Sequence, residues 1–91
     1  MTVRKQLDNF MNKAEETMQY AEVALANMQK VQPMYLEDFQ RAQLALQEIS
    51  EELTDLKRSA TKEQQYHLSR TEEQLRQLQN RYILKDLSHY R

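Results

Sequence analysis

The chain has 91 residues with no glycine, no cysteine and one proline; 40% of the residues are hydrophobic and 30% are charged. Hairpin turns usually need glycine, so this composition excludes an all-β fold, and the lack of cysteine excludes disulfides and thiolate metal sites. The length predicts a single helical domain over residues 1–91.

Apolar residues recur in steps of four and three along the first third of the chain and predict a helix over about residues 2–30. They are Leu7, Met11, Ala14, Met18, Ala21, Leu25 and Met28. Val3, Phe10 and Ala24 widen this apolar stripe, as expected for a helix that contacts more than one neighbour.

Pro33 predicts the break after this helix, because a proline inside a helix removes a hydrogen bond but fits the first helical position. The second helix is predicted over about residues 33–58. Its apolar residues alternate steps of three and four without interruption: Phe39, Ala42, Leu46, Ile49, Leu53, Leu56 and Ala60. This spacing is typical of a helix that packs lengthwise against other helices.

Thr61 followed three residues later by Gln64 is a capping-box pattern, which predicts a turn near residues 58–61. The third helix is then predicted over about residues 62–88. Neither glycine nor proline enforces the turn, so one continuous helix from Pro33 onward is the alternative.

The third helix has a sparser apolar stripe: Leu68, Leu75, Leu78, Tyr82, Ile83, Leu87 and Tyr90. Between Leu68 and Leu75 its buried face offers only Thr71 or Glu72. This stretch is therefore the weakest part of the predicted core.

Three helices of similar length with short connections predict an all-α fold, an antiparallel up-down-up three-helix bundle. The alternative is a long helical hairpin that dimerises into a four-helix bundle. We expect one end of the bundle to gather Met28, Val31, Tyr35, Leu36, Phe39, Tyr82, Ile83 and Tyr90. We expect the other end to gather Val3, Leu7, Phe10, Leu53, Leu56, Tyr66 and Leu68.

Charge is distributed unevenly along the chain. Residues 1–56 contain five Lys/Arg and ten Asp/Glu, a net charge of −5, whereas residues 57–91 contain eight and four, a net charge of +4. The favoured interpretation is a basic third helix packed against acidic neighbours. The alternative is a nucleic-acid-binding protein that uses a set of basic residues: Lys57, Arg58, Lys62, Arg70, Arg76, Arg81 and Lys85. Interspersed acids make nucleic acid the less favoured partner.

No residue pattern indicates catalysis. His67 and His89 are the only histidines, and adjacent acids such as Glu51 and Glu52 point about 100° apart on a helix, so they do not form a catalytic pair. A phosphate-binding loop needs glycine. We therefore predict no enzymatic activity, no cofactor and no metal site.

Two apolar features fall outside the predicted core. Leu44 lies opposite the apolar stripe of the second helix, and the run from Tyr82 to Leu84 covers about 200° of the third helix. We predict a partner-binding or self-association surface formed by a small apolar set: Ile83, Leu84, Leu87, Tyr90 and Leu44. The alternative is a frayed terminus with exposed side chains.

The predicted function is a non-enzymatic helical interaction or assembly module that binds a protein partner or forms a homodimer. The sequence contains neither a secretory signal nor the roughly 20-residue apolar run that crosses a bilayer. We therefore expect no membrane association, with the cytoplasm as the default location.

Residues 59–65, SATKEQQ, and residues 72–87, EEQLRQLQNRYILKDL, are similar to the C-terminal half of the YtzC-like proteins of spore-forming Gram-positive bacteria. That family consists of small uncharacterised proteins without a catalytic motif to transfer to this chain. The resemblance implies a short, cytoplasmic, all-helical protein.

Overall fold

The structure, a computed structural model, describes residues 3–28 and 33–89, without the side chains of residues 33, 34 and 86–89. It contains helices α1 (Arg4–Asn27), α2 (Pro33–Ser59) and α3 (Lys62–His89), and each helix packs against the other two. No strand occurs within the described ranges. The predicted all-α three-helix bundle is therefore confirmed.

The core is an apolar cluster to which all three helices contribute. Its buried members are Leu7, Phe10, Ala14, Ala21, Ala24, Leu25, Phe39, Ala42, Leu46, Ile49, Leu53, Leu56, Leu68, Leu75, Leu78 and Tyr82. Every position of the α2 stripe from Phe39 to Leu56 is buried, and Ala60 is partly buried. On α1, Ala14 and Ala21 are fully buried, and their small side chains allow the neighbouring helices to approach closely.

Four residues that we expected at the ends of the core are instead exposed: Val3 by 64%, Tyr66 by 62%, Ile83 by 52% and Leu36 by 36%. Val3 precedes the first residue of α1. Tyr66 lies two residues before the buried Leu68, so its side chain points about 200° around the helix from the core. Ile83 follows the buried Tyr82 by one residue and is turned about 100° away from the core.

Two residues, Ala60 and Thr61, separate α2 from α3, so the predicted turn is confirmed and the continuous helix from Pro33 is wrong. The hairpin alternative built on that long helix is not observed. The Gln64 backbone N–H donates to Thr61 Oγ1 at 3.2 Å, and the Thr61 N–H donates to Gln64 Oε1 at 3.0 Å. These reciprocal bonds form the predicted capping box.

The end of α2 lacks glycine, and a side chain from α3 takes over the capping of its carbonyl groups. Gln65 Nε2 donates to the backbone oxygens of Lys57 at 3.2 Å and Ala60 at 3.3 Å. The last carbonyls of a helix have no partner within the helix, and Gln65 supplies a donor to that of Lys57, which also accepts the Ala60 N–H at 3.4 Å, and to that of Ala60 in the turn. The sequence pattern did not indicate this role for Gln65.

Candidate functional site

Three open grooves lie on the surface of the described bundle, and two of them carry charged side chains. A groove of about 340 Å³ between α1 and α3 includes Glu15, Glu22 and Arg81 in its lining. A groove of about 400 Å³ at the start of the same two helices is lined by ionisable and polar residues: Arg4, Asp8, Thr61, Glu63, Gln64 and His67, together with Leu7.

The third groove, of about 310 Å³, lies between α2 and α3 and is lined by uncharged residues. They are Gln43, Leu46, Gln47, Gln79, Asn80, Tyr82 and Ile83, and we name this site the amide groove. Leu46 and Tyr82 are buried beneath it, whereas Gln47 and Asn80 are exposed. The Tyr82 phenol is neutral at physiological pH even at its ordinary pKa of 10.0, and burial raises that pKa further, so the floor of the groove carries no charge.

The uncharged character of the amide groove continues onto the adjoining surface of α2. Leu36, Gln40 and Leu44 succeed one another in steps of four, which places them along one stripe of the helix. Leu44 is 62% exposed and lies one turn before Gln47 of the groove. Apolar and carboxamide side chains thus form a neutral surface from Leu36 and Gln40 across the groove to α3. Leu44 lies at the edge of this surface, beside the exposed charged residues Arg41 and Glu48.

The residues predicted as a partner-binding surface do not all lie together. Leu44 and Ile83 lie on the two helices that form the amide groove. Leu84, which is 65% exposed, is turned about 100° from Ile83 around α3 and does not line the groove, although it lies one turn after Asn80, which does. The side chain of Leu87 and the whole of Tyr90 lie outside the described residues. Binding at these residues remains a prediction.

The four groove carboxamides were missed by the sequence reasoning. Their common signal is the absence of charge at positions 43, 47, 79 and 80 in a chain that is 30% charged. That signal can be read only when residues 43–47 of α2 are known to lie beside residues 79–83 of α3.

Ion pairs join every pair of helices. Lys13 and Glu52 connect α1 to α2 at 3.1 Å. Glu22 and Arg81 connect α1 to α3 at 3.8 Å. Lys57 connects α2 to Glu72 of α3 at 3.3 Å. Such surface pairs contribute roughly 0–1 kcal/mol each to the free energy of unfolding, so they add little to the stability of the bundle.

Four of the seven basic residues considered for nucleic-acid binding contact carboxylates, and these contacts lie on more than one side of the bundle. Arg76 lies 3.7 Å from Glu72, the same carboxylate that Lys57 of α2 contacts, whereas Arg81 points toward α1. Arg58 lies 3.9 Å from Asp55 on α2. These guanidinium and ammonium groups already contact carboxylates, and they do not form one continuous basic face.

Within the described part of the chain, no cluster of three or more His, Asp or Glu side chains could hold a metal ion. His67 is exposed, and its ring packs edge-on against the ring of Tyr66 with centroids 5.6 Å apart. The side chain of His89 lies outside the described residues.

No helix in the described ranges is both long enough and apolar enough to cross a membrane.

No curated protein and no solved structure matches the chain. The model of one protein family, DUF2524, matches residues 1–84 of the 91-residue chain. The chain therefore belongs to this family, which is described as a protein of unknown function.

Proposed function

We propose that this protein is a non-enzymatic helical module that binds another protein chain through the amide groove, which includes Ile83, and through the adjacent Leu44. The observation that supports the proposal is the neutral surface shared by α2 and α3. It exposes two large aliphatic side chains, by 62% at Leu44 and 52% at Ile83. Exposed apolar patches rimmed by polar residues are typical of protein-binding sites.

The cost of removing water also favours this surface over the two charged grooves. An ionised side chain loses much hydration free energy when a partner covers it, unless the partner supplies a matching charge. The amide groove has no such group, and its carboxamides can each donate and accept hydrogen bonds. A partner helix lying along the groove could therefore bury Leu44 and Ile83 while pairing with the amides.

The proposal extends to a single domain that acts in the cytoplasm without enzymatic activity. It also includes a relationship to the YtzC-like proteins of spore-forming Gram-positive bacteria, supported by the similarity of residues 59–65 and 72–87. Nucleic-acid binding is less well supported, because Lys57 and Arg76 both contact the carboxylate of Glu72, whereas Arg81 contacts Glu22 on α1.

A capture experiment with matched variants tests this function. The bait proteins are the wild type, L44D/I83D at the amide groove, and V23D/Y66D. Val23 and Tyr66 are 60% and 62% exposed and do not line the groove, so the control introduces the same two charges elsewhere. Circular dichroism checks that all three baits are equally helical.

We expect wild type and V23D/Y66D to retain the same protein from a cell extract and L44D/I83D to lose it at least tenfold. Purified partner should reproduce the difference by calorimetry. Equal capture by all three baits would contradict the proposed site. An additional bait, L84D, tests the outer side of α3: loss with L84D alone would move the site away from the groove.

A further inference from the structure

We infer that the amide groove binds a second copy of this chain, forming a weak dimer with two-fold symmetry. This inference rests on the proposed function and specifies its partner. It follows from two properties: the neutrality of the groove and the opposite charge balance of the two helices that form it. The size of the neutral surface sets the expected strength.

A two-fold interface brings each surface patch against the same patch of the other copy. A charged residue near the axis then meets an identical charge, which opposes association. The amide groove carries no charged side chain, so this repulsion does not arise. Gln43, Gln47, Gln79 and Asn80 instead supply carboxamides, and a carboxamide can pair with its own copy because it both donates and accepts.

The charge balance of the two helices favours one arrangement of the copies. Helix α2 carries three Lys/Arg and six Asp/Glu, whereas α3 carries five Lys/Arg and four Asp/Glu. A two-fold axis parallel to the helices places α2 of one copy against α3 of the other. The acidic helix then faces the basic one, and the interface contains four helices, two from each copy.

The size of the neutral surface sets the expected strength. From Leu36 to Gln47 it extends about 16 Å along α2, and two adjacent helices make it about 20 Å wide. The resulting area, roughly 300 Å² per copy, is well below the roughly 800 Å² per partner of stable complexes. We therefore expect a weak dimer that exchanges rapidly with the monomer and is populated only at high protein concentration.

Sedimentation equilibrium from 10 μM to 1 mM, in 0.15 M and 0.5 M NaCl, tests the inference. The average mass should rise from the monomer value of 11.0 kDa toward twice that value. V23D/Y66D should follow the wild type, and L44D/I83D should remain monomeric. Because the groove itself is neutral and salt screens only the charges that flank it on α2 and α3, the higher salt should weaken the association but not abolish it.

Amide NMR spectra recorded over the same concentrations locate the interface. The side-chain NH₂ signals of Gln47 and Asn80 should shift as the dimer forms, and the backbone signal of Val23 should not. Association that persists in L44D/I83D, or that disappears in 0.5 M NaCl, would overturn the inference.

A wild-type chain that stays monomeric to 1 mM would also overturn the second-copy inference. That result would leave the proposed function to the capture experiment, where loss of a different protein by L44D/I83D would still support it. Failure of both experiments would remove the amide groove as a binding site.

Discussion

Tyr82 Oη donates a hydrogen bond to the backbone carbonyl oxygen of Ala21 at 2.6 Å, joining α3 to α1 through the core. The same ring stacks on Phe39 of α2, with centroids 4.6 Å apart and planes 15° apart. One side chain that is only 1% exposed therefore contacts both other helices. A buried hydroxyl needs a partner, and the Ala21 carbonyl supplies it.

This arrangement predicts a loss of stability at high pH that depends on Tyr82. Burial, with a smaller effect of nearby Tyr20, raises the pKa of Tyr82 far above the ordinary value of 10.0. Above about pH 10 the unfolded chain releases the phenolic proton while the folded chain keeps it, so the free energy of unfolding falls as pH rises. The Tyr82 contribution should reach about 1.4 kcal/mol per pH unit and vanish below about pH 9.

Urea unfolding followed by circular dichroism between pH 8 and 11.5 measures this effect. In Y82F the steep component should disappear. At pH 7 the same variant should lose about 0.5–1.5 kcal/mol, since it lacks the bond to Ala21 but keeps the aromatic stack. Identical pH profiles for the two proteins would contradict the prediction.

The buried stripe of α2 could be predicted from sequence because helical geometry alone fixes which of its residues share a face. Phe39 to Leu56 follow a three-four spacing, so any neighbouring helix buries all of them together. On α3 the apolar residues are adjacent as well as periodic. Tyr82 and Ile83 are both large and apolar, and the position of α1 and α2 decides that Tyr82 is buried and Ile83 exposed.

The candidate site could likewise be predicted from sequence only where it depends on a single helix. Leu44 was identified from its position opposite the α2 stripe, which is a property of one helix. The amide groove also needs Gln79 and Asn80 of α3 beside Gln43 and Gln47 of α2. That neighbourhood depends on how two helices are aligned, which their separate periodicities do not specify.

The capping box at the start of α3 predicts unequal effects of two threonine-to-alanine substitutions. T61A removes the acceptor of the Gln64 N–H and should lower the free energy of unfolding by about 1 kcal/mol. T54A is the control, since Thr54 Oγ1 donates to the Ser50 carbonyl at 3.0 Å inside α2 and caps nothing. It should be neutral or slightly stabilising, because alanine is the better helix former.

Urea unfolding at pH 7 compares the two variants, and T61S should recover most of the lost stability because serine is an equally good cap. An equal loss in T61A and T54A would show that the capping bonds do not stabilise the turn.

Thr71 is the buried polar residue of the described core, and it predicts a substitution that stabilises the protein. Its side chain lies where the apolar stripe of α3 is weakest and is only 6% exposed. Thr71 Oγ1 donates to Met11 Sδ at 3.5 Å, and a thioether sulfur is a weak acceptor. T71V keeps the branched shape but replaces the hydroxyl with a methyl group.

The valine methyl should remove a poorly compensated hydroxyl and bury additional apolar surface, which raises the free energy of unfolding by about 0.5–1.5 kcal/mol. T54V is the matched control at an exposed helical site and should change little, since valine and threonine have similar helix propensities. Urea unfolding measures both variants. If T71V were instead less stable than the wild type, the contact with the Met11 sulfur would outweigh the gain from the methyl group.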